Sequence, residues 1–390
     1  MLPQAALPYR EITMILPKNL FLRIFNSAYM ERWNDKLRPL PFYEIDKQAH
    51  KMMIAYFLGT FAEKEPGFDW RKIIEGGIFE QLQRTVITDI KPPVYRKIKA
   101  DKQKFAEFNE WICSQLREEI EPIGDDFIRR FSEYFSETHD DINRKILRAA
   151  HIYSSKWEFD IIERTNPNGY DMDLIRREFD TTMEECYDLE GIKQLALYKS
   201  YRQFIDLCGQ LRFQIRWANL YRIPKTSVLG HSLFVAVFTY LFSLMNGFDD
   251  KRLYNNYFTG LFHDLPEVLT RDIISPVKKS VAGLADIIKD YEREQMNDVV
   301  YPLVTDRIHS DLQFWTEDEF CTVDKNGTQR DGCLVKGIDE LSAYIEALIA
   351  VENGSNSPEF KEAIDNLKFK YKNSNPICNV DFDRIFCHIF

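Results

Sequence analysis

The sequence predicts an all-α protein built as two tandem helical units. Two observations predict the helices. Every long segment spaces its apolar residues by three and four, and no run alternates apolar and polar residues long enough for a sheet. A third observation, an internal repeat, predicts the duplication. With 390 residues, the chain can form two domains of ordinary size, each with its own core.

In chain order, "AHKMMIAYFLGTFAEK" from Ala49, "KFAEFNEWICSQLREEI" from Lys104, "LFVAVFTYLFSLM" from Leu233 and "IDELSAYIEALIAVENG" from Ile338 carry the clearest helical spacing. Helix breakers cluster at 91–93, 165–171, 245–250, 324–332 and 352–359. The polar, acidic stretch from Thr165 to about Leu195 is the best candidate for a domain connection, giving units at 1–190 and 191–390. The most apolar run, from Leu233, has 13 residues, too few to span a bilayer, and reads as a buried helix. No cationic start followed by an apolar block marks a signal peptide. The net charge of -10 argues against a general nucleic-acid binder. Seven cysteines with no CxxC pair read as reduced thiols. Together these features predict a cytoplasmic protein without a membrane partner.

The repeat is plainest where "GIFEQLQRTVITDIKPPV" (from Gly77) is set under "GLFHDLPEVLTRDIISPV" (from Gly260): 18 positions align without a gap and seven are identical. Upstream, "RWNDKLRPLPFYEIDKQAH" from Arg32 parallels "RWANLYRIPKTSVLGH" from Arg216, and the two histidines, His50 and His231, head long apolar helices. Downstream, "ILRAAHIYSSKWEF" parallels "LVKGIDELSAYIEA", setting His151 opposite Asp339.

The second copy concentrates unusual residues: His231, His263, Asp264 and Asp339. Two histidines and two carboxylates on apolar helices suit one divalent metal with mixed nitrogen and oxygen ligands, which would offset the burial of those polar groups. Neighbouring helical residues diverge by about 100°, so His263 and Asp264 are expected to reach an ion held where several helices cross. Such an ion makes hydroxide available near neutral pH and neutralises phosphoryl charge. Glu267, four residues beyond His263, would share its helix face and could orient the water or take its proton. Arg216 can grip a phosphate through two parallel hydrogen bonds, and Asp272 could accept from a sugar hydroxyl. Ser342 and Ala343, three and four residues after Asp339, are small enough to leave room over that face. His139-Asp140, His309 and His388 lack context and read as surface or packing residues.

The H…HD…D pattern resembles that of HD-domain metal-dependent phosphohydrolases, and among them the YfbR-type 5′-deoxynucleotidases. The resemblance runs from about Arg212 to Asn353 and rests on "IRW" at 215–217, His231-Ser232, "HDLPEVLTRDIISPVK" and "KGIDELSAYI". It implies an all-helical fold, a divalent ion (cobalt, manganese, zinc, iron, nickel or magnesium), a nucleotide substrate and a homodimer. It also implies that His231, His263, Asp264 and Asp339 hold the metal. Asp264 and Glu267 would serve catalysis, while Arg216, Trp217 and Asp272 would meet the substrate. One departure is Gly230, where the family often has glutamate before the first histidine. The front half is a larger departure. Glu80, Gln81 and Arg84 stand opposite His263, Asp264 and Glu267, and an arginine there repels a metal and removes the base. That half reads as a catalytically silent copy. The expected activity is removal of phosphate from a nucleoside 5′-monophosphate. The alternatives are deoxynucleoside triphosphate triphosphohydrolysis and a nucleotide-sensing module without turnover.

Overall fold

The computed structural model describes residues 13–88, 90–136, 141–273, 281–325 and 328–390. His139-Asp140, Asp89 and Pro276 lie outside them. The front half runs through α1 (Lys18–Asn26), a hairpin of β1 (Glu31–Arg32) and β2 (Phe42–Tyr43), α2 (Glu44–Thr60) and α3 (Trp70–Ile87). It continues through α4 (Pro92–Ala100), α5 (Lys102–Ile120) and α6 (Asp125–Ser136) to α7 (Ile142–Thr165). After α8 (Met172–Glu184), α9 (Glu190–Leu197) and α10 (Lys199–Gln210), the back half holds α11 (Val228–Met245), α12 (Asp250–Phe262) and α13 (Glu267–Thr270). Then follow α14 (Leu284–Gln295), α15 (Asp306–Thr316), a hairpin of β3 (Val323–Lys325) and β4 (Thr328–Arg330), α16 (Gly332–Glu352), α17 (Pro358–Tyr371) and the short α18 (Phe382–Arg384). The fold is all-α, as expected.

The acidic connection is not a bare linker. Met172, Ile175 and Phe179 of α8 pack on Phe42 and Phe159, so that stretch is helical because one of its faces is apolar. The predicted breakers at 245–250 and 352–359 end helices through Gly247 and Gly354, at φ 68° and 92°. α11 runs to 18 residues, longer than the apolar run alone and long enough to cross a bilayer; 89% of it is buried inside the protein, as a core helix is. One apolar core runs continuously from α1 to the C-terminal turn and includes side chains of both halves.

The halves correspond in structure. The antiparallel pairing Glu31↔Tyr43 recurs as the bridge Ile215↔Ser227, and α2 and α11 begin one residue after Tyr43 and Ser227. Trp33 and Trp217 both have φ 57°, a left-handed conformation uncommon for a bulky side chain. Thr88 and Arg271 likewise share positive φ, at 53° and 67°. These matches set one gapless register from Arg32 into α2, and it differs from the one expected. His231 stands opposite Lys47, while His50 sits one turn further on and bonds the Ile205 carbonyl at 2.9 Å. Pairing the two histidines needs a three-residue gap that the backbone does not contain.

The corresponding helices also meet: α2 packs on α11 and α3 on α12. Tyr56 of α2 packs tilted and edge-on against Phe258 and Phe262, with centroids 5.0 and 5.4 Å away, and the Tyr240 hydroxyl of α11 donates to Glu75 of α3 at 3.0 Å. At Gly230, a Cβ would come within 2.8 Å of Ile45 and 2.9 Å of Asp46 from α2. The glutamate that the resemblance implies at this position would meet the front half, which occupies that space.

Candidate metal and phosphate site

Three helices bring the ligand-type residues together. His231 lies in the first turn of α11, whose N-cap Ser227 accepts from the Gly230 amide at 2.9 Å. Asp339 projects from the middle of α16. His263 caps α12, and the chain leaves the helix through Asp264 to Pro266 before α13 starts at Glu267. At this helix end the His263 and Asp264 side chains reach the same point, with His263 Nε2 3.3 Å from Asp264 Oδ1. Glu267 consequently opens a new short helix and does not extend α12. Gly260 permits the close crossing of α12 and α11, since a Cβ there would come within 2.7 Å of the Ala236 backbone.

Potential ligand atoms of His231, His263 and Asp264 lie within 4.8 Å of one another. His231 Nε2 is 3.1 Å from Asp339 Oδ1 and 3.5 Å from Asp264 Oδ2; His263 Nε2 is 3.3 Å from Asp264 Oδ1. Both Nε2 atoms are buried without a well-formed hydrogen bond. The opposite ring nitrogens are engaged: His231 Nδ1 bonds Ser342 Oγ and His263 Nδ1 the Gly260 carbonyl, each at 2.9 Å. A ring that donates through Nδ1 turns its Nε2 lone pair inward. Burial, reinforced by Arg216, pushes the His231 pKa down, which favours the neutral imidazole that a metal needs. Burial alone would raise Asp339, but Lys336 and His231 hold it well below the usual carboxylate range. The donor set thus fits a divalent ion.

Beside this cluster is a cavity of about 760 Å³ lined by Arg216, Trp217, His263, Asp264, Glu267 and Asp272, among others. Arg216 Nε and Trp217 Nε1 both donate to Glu346 Oε2, at 3.1 and 2.9 Å, and Trp217 packs on Phe360. Burial would raise Glu346; Arg216 and Arg222 overcome it and bring its pKa to about 2. The clasp holds Arg216 with Nη1 4.0 Å from Asp264 Oδ2. Burial raises the Asp272 pKa; Arg216 opposes that shift and Asp264 adds to it.

All the singled-out residues of the second copy therefore meet in one place. Sequence reasoning missed Ser342 as the partner of His231, Glu346 as the anchor of Arg216, and Lys336, whose Nζ lies 2.7 Å from Asp339 Oδ2. The repeat contained a signal for Glu346: its counterpart Glu158 is clasped in the same way by Arg32 and Trp33, both at 2.9 Å. His309 stacks on Tyr301, a packing role as expected. In the front half, Gln81 turns to Ser27, Glu80 pairs with Lys51 at 2.5 Å, and Arg84 lies 3.6 Å from Glu44.

Residues 208–376 match the HD domain family. That segment of the back half is similar to an HD domain. The match includes all four ligand-type residues. The chain is also 26% identical over 178 residues to the 4′-phosphooxetanocin A phosphatase of Priestia megaterium, covering 43% of this chain and 85% of that protein. It is 25% identical to a 5′-deoxynucleotidase of Cronobacter sakazakii (40% and 77% covered) and 27% identical to the 5′-deoxynucleotidase YfbR of Salmonella arizonae (41% and 77%). These similarities cover less than half of the chain.

Proposed function

We propose that the HD domain is a metal-dependent phosphohydrolase that removes phosphate from a nucleotide, with a (deoxy)nucleoside 5′-monophosphate as its substrate. The observation that carries this reading is the convergence of two buried Nε2 lone pairs and two carboxylates beside a cavity that also holds Arg216. The names of the related phosphatase and 5′-deoxynucleotidases support it. In this reading His231, His263, Asp264 and Asp339 hold one divalent ion. When bound, such an ion supplies Lewis acidity and hydroxide near neutral pH.

The chain's own residues supply the rest. Arg216, fixed by Glu346, meets the phosphate with its free guanidinium edge. Glu267 takes a proton from the attacking water, and Trp217 and Asp272 bound the nucleoside. The cavity is lined by ten acidic residues against four basic ones. A triphosphate carries more negative charge, so this wall favours a monophosphate.

We further propose units at 1–190 and 191–390, with the first catalytically silent. Their packing through corresponding helices would let one chain do what a pair of subunits does elsewhere. The seven cysteines are free thiols, and we place the enzyme in the cytosol on that chemistry.

The test is phosphate release from deoxy- and ribonucleoside mono- and triphosphates by the full chain with added divalent ions. Release from monophosphates alone agrees with the proposal. Release from triphosphates selects the triphosphohydrolase, and nucleotide binding without release selects a sensing module.

A further inference from the structure

We propose that the front half contains a metal-free anion site, built on Lys47 where the back half builds on His231, and that this site takes a phosphate group. The inference rests on the backbone register and does not require the hydrolytic reading of the back half.

Lys47 is 0% exposed. Its Nζ lies 2.6 Å from His151 Nδ1, just as His231 faces Asp339 in the other copy. Among the described residues, no carboxylate oxygen comes within 4.0 Å of that ammonium. Around it, Lys51 pairs with Glu80, Arg32 with Glu44 and Glu158, and Arg84 with Glu44. With Arg212, which also pairs with Glu158, five cationic side chains share three carboxylates, and Lys47 is the one without a carboxylate partner. Burial, with Lys51 and Arg32 adding to it, pulls Lys47 down to about 7. Lys47 in turn keeps His151 neutral, so the histidine cannot add positive charge but can accept a hydrogen bond.

A buried ammonium is unfavourable until an anion meets it. Access exists. His151 is solvent-exposed, and a cavity of about 400 Å³, lined by Glu31, Arg32, Glu44, Arg84 and Thr88 but not by Lys47 itself, adjoins the cluster through Arg32, Glu44 and Arg84. Arg32 there occupies the register position of Arg216. Where the back half offers donors for a metal ion, the front half carries fixed cations, which suit phosphate without any metal. Arg84 takes the position of Glu267, and Glu44 in the cavity wall is tied to Arg32 and Arg84, so the site lacks a counterpart of the water-activating carboxylate and phosphate would be held and not hydrolysed.

The experiment is equilibrium dialysis of the full chain carrying Asp264→Ala, in chelator, against inorganic phosphate in one arm and deoxyadenosine monophosphate in the other. EDTA-treated wild type is the check should that variant fold poorly. The expected result is one saturable site per chain in at least one arm. Affinity should fall at least about tenfold with Lys47→Met. The preferred arm tells free phosphate from nucleotide. Should Lys47→Met fail to fold, Arg84→Gln at the cavity wall gives the same reading. Absence of saturable binding in both arms would overturn the proposal, and so would binding lost through Arg216→Ala but kept in Lys47→Met.

Discussion

Each residue in and around the His/Asp cluster contributes a different atom, and substitutions should separate their roles. Glu267→Ala should keep the ion and lower turnover by about 10²-fold, the usual scale for acid–base help; metal content measured beside kcat decides this, since loss of the ion would make Glu267 a ligand. Ser342→Ala leaves His231 Nδ1 without its 2.9 Å partner. Metal affinity should fall by roughly 10- to 100-fold, read by competition with a chelating dye; unchanged affinity would show that Ser342 only packs. The convergence of the two histidines and two aspartates was legible because such residues on apolar helices are costly unless satisfied. Ser342 and Glu346 were not, because a serine or glutamate on a helix acquires its role only from the side chain that the tertiary fold brings to it.

At the scale of elements, the register of α2 was the feature hardest to read. Two histidines at the heads of apolar helices invite pairing, yet strand pairing and helix starts set Lys47 opposite His231. The Arg-Trp dipeptides, together with Arg38 and Arg222 spaced alike after them, carry that register in the sequence. The break at 263–266 was also hidden, because Pro266 is compatible with a helix start as well as a stop. The α2–α11 contact yields two predictions. Gly230→Ala should destabilise the fold by about 1–3 kcal/mol, since the buried Ile45 and Asp46 side chains would have to shift; a denaturation midpoint unchanged from wild type would refute the close approach. Asp46, buried and accepting from Ser227 Oγ, has its pKa raised by burial to about 6. An acid with a raised folded pKa takes up protons on folding, so wild-type stability falls as pH rises from about 4 through about 6. Asp46→Asn should therefore stabilise the protein above pH 6, by up to about 3 kcal/mol, with the gain vanishing below pH 4. Thermal melts across that range check the sign.

For the whole molecule, the all-α class and the duplication were legible because helical spacing and a gapless repeat persist where the ligand-type residues do not. The continuous core was not, because the sequence shows which faces are apolar but not that α2 and α3 cover α11 and α12. Deleting residues 1–190 uncovers those faces and should give an insoluble or unstable product; a soluble, active fragment would contradict the shared core. The account centres on one ion per chain, held by the HD domain and by nothing in the front half. Elemental analysis of purified wild type, Asp264→Ala and Lys47→Met tests this most directly. The account predicts about one equivalent of divalent metal in wild type and Lys47→Met and close to none in Asp264→Ala; equal metal in wild type and Asp264→Ala would contradict it.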